Sequence, residues 1–188
     1  MPTPERTSRA EIVRAGCAIL EADGPSGLTM QAVAARVGVR APSLYKRVRN
    51  RDELLGLIIQ DALDDLGGRL DAAAVGGGVD ARTDLRELAR ITRAFAHERP
   101  AAYRMVFADV PEASRPGREA LAQASAAVLA VATALAGSDD ALPAARTVTA
   151  WVTGFIGMEL AGAFRLGGDV DEAFDYGVRR LAEAIASA

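Results

Sequence analysis

Apolar residues recur along almost the whole chain at helical spacing. No stretch alternates apolar and polar positions over the length of a strand. A first helix is expected over about Ser8–Ala22, with Ile12, Gly16, Ile19 and Leu20 on one stripe. Asp23-Gly24-Pro25 stops it. Thr29 is a good N-cap for a short second helix with Met30, Val33, Ala34 and Val37 on one face, and Gly38 ends that helix. A third helix starts near Pro42; Leu44 and Val48 point to one side of it, Ser43 and Arg47 to the other. A fourth runs from about Asp52 to Leu66 or a little beyond, capped by Asn50. Gly67-Gly68 and Gly76-Gly77-Gly78 bracket its end and a flexible connection.

The pattern stays helical beyond this point. A fifth helix is expected over about Asp84–Glu98, carrying Leu85, Leu88, Thr92, Phe95 and Ala96, and a short piece follows over Ala101–Phe107. Pro111 and Pro116 break the chain before an Ala-rich helix over about Arg118–Ala136. After a turn at Gly137-Ser138-Asp139-Asp140, the longest helix is expected over about Leu142–Leu166, apolar nearly all round at Trp151–Gly162. Gly167-Gly168 ends it. The last helix opens with Asp169 as N-cap and Glu172 three residues on, and its stripe is Phe174, Val178, Leu181 and Ile185. The chain therefore reads as all-α.

Composition narrows the class. The chain has 188 residues, half of them apolar and a quarter charged, which suits one globular domain or a small module fused to a larger one. No run of about 18 uncharged apolar residues occurs. Met1–Arg9 lacks the apolar core of a secretion signal, which points to the cytoplasm. One cysteine, Cys17, forms no internal disulfide, and with one histidine it builds no Cys/His zinc site; no cofactor is implied.

Charge is unevenly placed. The net charge is −3, yet residues 1–50 hold eight Arg/Lys against four acids, a net of +4. The remainder carries −7. A basic end on an acidic body suits an anionic partner for the first segment.

The segment Leu28–Leu55, LTMQAVAARVGVRAPSLYKRVRNRDELL, places two short helices around Gly38-Val39, the second with a polar, basic face. That is a helix-turn-helix pattern, in which the second helix fits the DNA major groove. Leu28-Thr29, Val33-Ala34, Val37-Gly38-Val39, Pro42-Ser43-Leu44-Tyr45 and Leu54-Leu55 closely resemble the DNA-binding module of the tetracycline-repressor (TetR) family. The resemblance implies that Thr29 caps its helix and bonds a phosphate, and that Gln31 reaches a base edge. It implies that Arg40, Ala41, Pro42 and Ser43 lie at the groove floor, and that Tyr45, Lys46 and Arg47 hold phosphates. Arg51 stands where the family usually has lysine and is expected on a phosphate; Arg47 stands at a position often held by histidine.

The segment Trp151–Phe164, WVTGFIGMELAGAF, with Gly167-Gly168-Asp169-Val170-Asp171 and Phe174, resembles the WHG-type C-terminal domain of one TetR branch. The branch's histidine is absent: Thr153-Gly154-Phe155 and Met158-Glu159 stand in those places, so no role of that histidine carries over. In such proteins the last two long helices pair with a second subunit. Gly154, Gly157 and Ala161 offer a small-residue stripe for close approach, and Phe174, Val178 and Leu181 line the partner helix; intramolecular packing is the competing use of such a stripe. Trp151, Phe155 and Met158, with Phe95, Met105 and Phe107, form either an ordinary core or the wall of a largely apolar effector pocket. His97, Arg104 and Glu159 are its candidate polar contacts.

The implied architecture is an N-terminal three-helix helix-turn-helix module at residues 1–51, a connector helix at 52–70, and a ligand-binding and dimerisation body at 71–188, about nine helices in all. The expected function is a repressor that binds a palindromic operator as a homodimer and leaves it when a small-molecule effector binds. The alternative is an effector-independent helical DNA-binding or architectural module. An enzyme is disfavoured, because Cys17 has no adjacent base, His97 no nucleophile, and no phosphate-cradling glycine motif precedes a helix.

Overall fold

The computed structural model describes residues 8–75 and 80–186. Among the described residues are nine helices and no strand: α1 (Arg9–Gly27), α2 (Met30–Val37), α3 (Ala41–Leu44), α4 (Arg51–Val75), α5 (Ala81–Glu98), α6 (Pro100–Phe107), α7 (Arg118–Ala124), α8 (Ala126–Leu160) and α9 (Val170–Ala186). The all-α expectation holds. The triplet Gly76-Gly77-Gly78, expected as a flexible connection, lies outside the described residues.

The chain forms two compact units. One holds the described residues up to Asp64 together with Arg99–Ala120; the other holds Asp65–Glu98 and the chain from Leu121 onward. The division falls inside α4, and the chain returns to the first unit at α6. The sequence pattern places everything after residue 70 in one body.

In the first unit, α1 opens with a reciprocal cap. The Glu11 N–H donates to the Ser8 hydroxyl, and the Ser8 N–H donates to the Glu11 carboxylate. The helix kinks at Gly24, whose φ of +68° only glycine adopts freely, just where the sequence predicts a stop. Ile12, Ile19 and Leu20 of α1, Val33 of α2, Leu44 of α3 and Leu54, Ile58 and Ile59 of α4 are fully buried or nearly so. Gly16 permits close packing on α4, since a Cβ there would stand 2.8 Å from Ile58 Cδ1. α1 also caps α6: both oxygens of Glu21 accept backbone N–H groups, from Ala101 and Ala102, at 2.9 Å. Cys17 packs on the Arg99–Asp61 ion pair, and its thiol is pushed up to about 11 by burial and by Asp61. It therefore stays protonated at neutral pH.

Three boundaries in the second unit depart from the pattern. α4 does not end at Gly67-Gly68 but continues to Val75. Gly67 serves a close approach instead, a Cβ there meeting Ala124 Cα at 3.1 Å. The helix expected over Arg118–Ala136 breaks at Ser125 into α7 and the start of α8, and α8 breaks again at Gly137 with φ +79°. The last helical segment before α9 stops at Leu160 rather than Leu166. Gly162 takes φ +63°, its N–H bonds the Glu159 carbonyl, and the Ala163 N–H bonds the Met158 carbonyl. By length and composition α8 could cross a membrane, but it is broken at Gly137 and packs against both α5 and α9. Asp169 caps α9 as expected, accepting the N–H groups of Asp171 and Glu172.

Candidate nucleic-acid interface

The first unit builds its exposed face from short-range chemistry. Thr29 caps α2, its Oγ1 accepting the Ala32 N–H at 3.1 Å. Gly38 ends α2 with φ +72°; its N–H bonds the Ala34 and Ala35 carbonyls, and the Val39 N–H bonds the Ala34 carbonyl. That left-handed residue turns the chain into α3. Regular helix covers only Ala41–Leu44, and the following turn closes with the Arg47 and Val48 N–H groups on the Leu44 carbonyl. Leu44 and Val48, both fully buried, pin the segment to the core.

Their burial dictates what faces outward. Arg40, Pro42, Ser43, Tyr45, Lys46 and Arg47 are exposed and Ala41 is half-buried; Thr29 and Gln31 are exposed at the start of α2. Between Gly24 and Arg51 the chain has six cations and no acid, so this surface carries a local positive field despite the negative total. The Thr29 hydroxyl accepts within the helix and retains a proton to donate.

Arg51 departs from its expected place. Its Nε donates to the Leu28 carbonyl at 2.8 Å and an Nη donates to the Pro25 carbonyl at 2.6 Å. Glu53 was not singled out by the sequence reading. It accepts the Arg49 N–H and both the Arg49 and Arg9 guanidinium groups. These bonds, led by the backbone one, hold its carboxyl below the usual range. The spacing Asn50-x-x-Glu53 is the sequence signal for it, and Asn50 Oδ1 indeed accepts the Glu53 N–H.

In the second unit the candidate effector residues separate. Trp151, Phe155 and Phe174 stack on one another, ring centroids 5.2–5.7 Å apart, and Phe164 lies 4.7 Å from Phe155. The aromatic cluster is filled by its own rings. Phe95 is fully buried and Met158 half-exposed; Met105 and the half-exposed Phe107 belong to the first unit. Of the candidate dimer residues, Gly154, Gly157 and Ala161 are exposed, and a Cβ at either glycine would meet nothing within 4 Å. Phe174 and Val178 are buried in the unit's own core, and Leu181 is half-buried.

His97 and Glu159 line a polar cleft of about 540 Å³ with Arg90, Arg93, Asp171 and Asp175. Arg93 bonds Glu159 and Asp171, Arg90 forks onto Asp175, and His97 Nε2 lies 3.2 Å from Glu159. Hydrogen bonds from Arg93, and less from His97, hold Glu159 below the usual carboxylate range, and Arg90 does the same for Asp175. Arg104 lies exposed on α6 of the first unit.

A cationic turn-and-helix held out by a buried apolar face defines a helix-turn-helix DNA-binding protein. Residues 12–58 match the family described as bacterial regulatory proteins, tetR family, and residues 85–181 match the tetracyclin repressor-like C-terminal domain. The chain belongs to the TetR family of transcriptional regulators. It is 30% identical over 186 residues to the uncharacterized HTH-type transcriptional regulator Rv0681 of Mycobacterium tuberculosis, covering 95% of this chain and 82% of that one. It is 33% identical over 99 residues to the regulator Rv1816 of the same species, and that match spans 52% of this chain and only 42% of the relative. Among solved structures, BioQ of Mycobacterium smegmatis superposes with a TM-score of 0.72 at 25% identity, covering 96% of this chain and 98% of that one.

Proposed function

We propose that the protein is a cytoplasmic repressor that binds a palindromic operator as a homodimer and is released by a small, largely apolar effector. The observation that carries the reading is the exposed cationic set Arg40, Lys46 and Arg47 around the α3 segment, with Leu44 and Val48 buried behind it. In this reading Arg40 pairs with a guanine, Ala41 or Pro42 meets a thymine methyl, and Thr29, Tyr45, Lys46 and Arg47 hold phosphates.

The homodimer is supported by Gly154, Gly157 and Ala161. Each glycine costs the helix about 1 kcal/mol relative to alanine. With open space beside them in the protomer, close intramolecular packing does not account for these glycines. A second copy packed on that stripe supplies a reason, and two-fold symmetry matches a palindrome with half-sites about 34–36 Å apart. Effector binding is assigned to the neighbourhood of Trp151 and Phe155, where a ligand has to part rings that now fill the space. A tenfold release from DNA needs a preference of about 1.4 kcal/mol for the released state.

Selection of randomised duplex DNA on the full chain tests the reading. An enriched inverted repeat is expected. Enrichment of no sequence, with retention that grows only with duplex length, would contradict it.

A further inference from the structure

Arg51 is the residue whose placement differs most from its motif role. Its guanidinium is turned onto the backbone that runs from the last turn of α1 to the start of α2, on the carbonyls of Pro25 and Leu28. Leu28 immediately precedes the N-cap Thr29, and its side chain is wholly buried. Pro25 lies just past the kink at Gly24. The two bonds thus grip both ends of the connection that delivers the start of α2. The Asp52 carboxylate 4.0 Å from the fork offsets part of its charge. The rest of this turn of α4 works the same way: Asn50 caps it, and Glu53 draws in Arg9 from the start of α1 and Arg49 from beyond α3.

We propose that Arg51 is a positioning residue for DNA reading: through its two hydrogen bonds it fixes where Thr29 and Gln31, at the first turn of α2, meet the duplex. Its charge does not serve as a phosphate contact. Coplanar N–H groups on two separate nitrogens, each aimed at its own carbonyl, are a property of the guanidinium; a lysine ammonium presents all its donors from a single nitrogen. The inference rests on the sequence-specific binding proposed above.

The test uses the full chain with R51K and R51A. The probes are a duplex selected by the wild-type protein and a scrambled duplex of equal length. R51A is expected to lose about tenfold in affinity for the selected duplex, and R51K to recover only part of it. Affinity for the scrambled duplex falls by less, because only the Thr29 phosphate contact is disturbed there, and the slope of log K against log salt stays at its wild-type value. Equal losses on both duplexes with a slope shallower by about 0.9 would mark a phosphate contact and overturn the proposal. Full recovery in R51K, or no loss at all, would overturn it as well. Amide exchange in the free protein provides a readout independent of DNA. Protection of Ala32 and Val33 should fall in R51A while that of α5 and α8 is unchanged; unchanged protection, or a loss throughout the molecule, sinks the idea. A wild-type protein that selects no sequence contradicts the operator reading, and the exchange result still decides the role of Arg51.

Discussion

At the scale of single residues, the exposed face of the first unit rests on short-range bonds and on two buried anchors. Thr29 caps, Gly38 turns left-handed, and Leu44 and Val48 share a buried side that leaves Ser43 and Arg47 outside. Arg51 was not legible. Its partners are two carbonyls more than twenty positions away in sequence, and no local periodicity encodes them. The phosphate roles proposed for Lys46 and Arg47 make a quantitative prediction: the double variant Lys46→Ala, Arg47→Ala weakens binding to all sequences and flattens the salt slope by about 1.8, as titrations at several salt concentrations would read. An unchanged slope would remove both from the phosphate contacts. Gly177 makes a second. A Cβ there would collide with the Trp151 ring, so Gly177→Ala overpacks the aromatic cluster although alanine favours helix. The urea midpoint should fall by the equivalent of about 1–3 kcal/mol. A raised midpoint would show that the ring gives way freely.

At the scale of helices, existence was readable and ends were not. The apolar run through Phe164 and Leu166 continues past the true end of α8, because Gly162 closes the helix with a left-handed turn that hydrophobicity does not report. Leu166 is left fully exposed. Gly67 misled in the opposite way: it marks a close approach to Ala124, not a stop. The joint of α5, α8 and α9 is electrostatic as well as apolar, since Arg93 bridges Glu159 and Asp171 and also lies over the Phe174 ring. Glu159 and Asp175 have lowered folded-state pKa values. The stability they add is complete above their unfolded values, near about 4, and is lost as pH falls through the folded values. Urea midpoints measured against pH should therefore drop on the acid side, and Glu159→Gln should make that drop shallower. An identical acid limb in the variant would mean that Glu159 carries none of it.

At the scale of the whole molecule, the sequence showed a basic head and an acidic body but not how the chain is shared between them. The return of Arg99–Ala120 to the first unit depends on contacts far apart in sequence, such as Glu21 with the start of α6. Such pairings leave no periodic trace. The proposed pairing of two chains makes its own prediction. Gly157→Leu meets open space in the protomer, so helical content and protomer folding should be retained. In a dimer packed on that stripe the leucine intrudes. Sedimentation should show a shift from dimer to monomer, together with weaker operator binding; a variant that stays dimeric would move the interface elsewhere.

In the proposed function the α3 segment reads DNA from the groove, and two copies do so as a pair. Hydroxyl-radical footprinting of the selected duplex tests both parts together. Two protected patches are expected on one face of the duplex, one helical turn apart and related by the dyad of the sequence. A single patch, or uniform protection without phase, would contradict it.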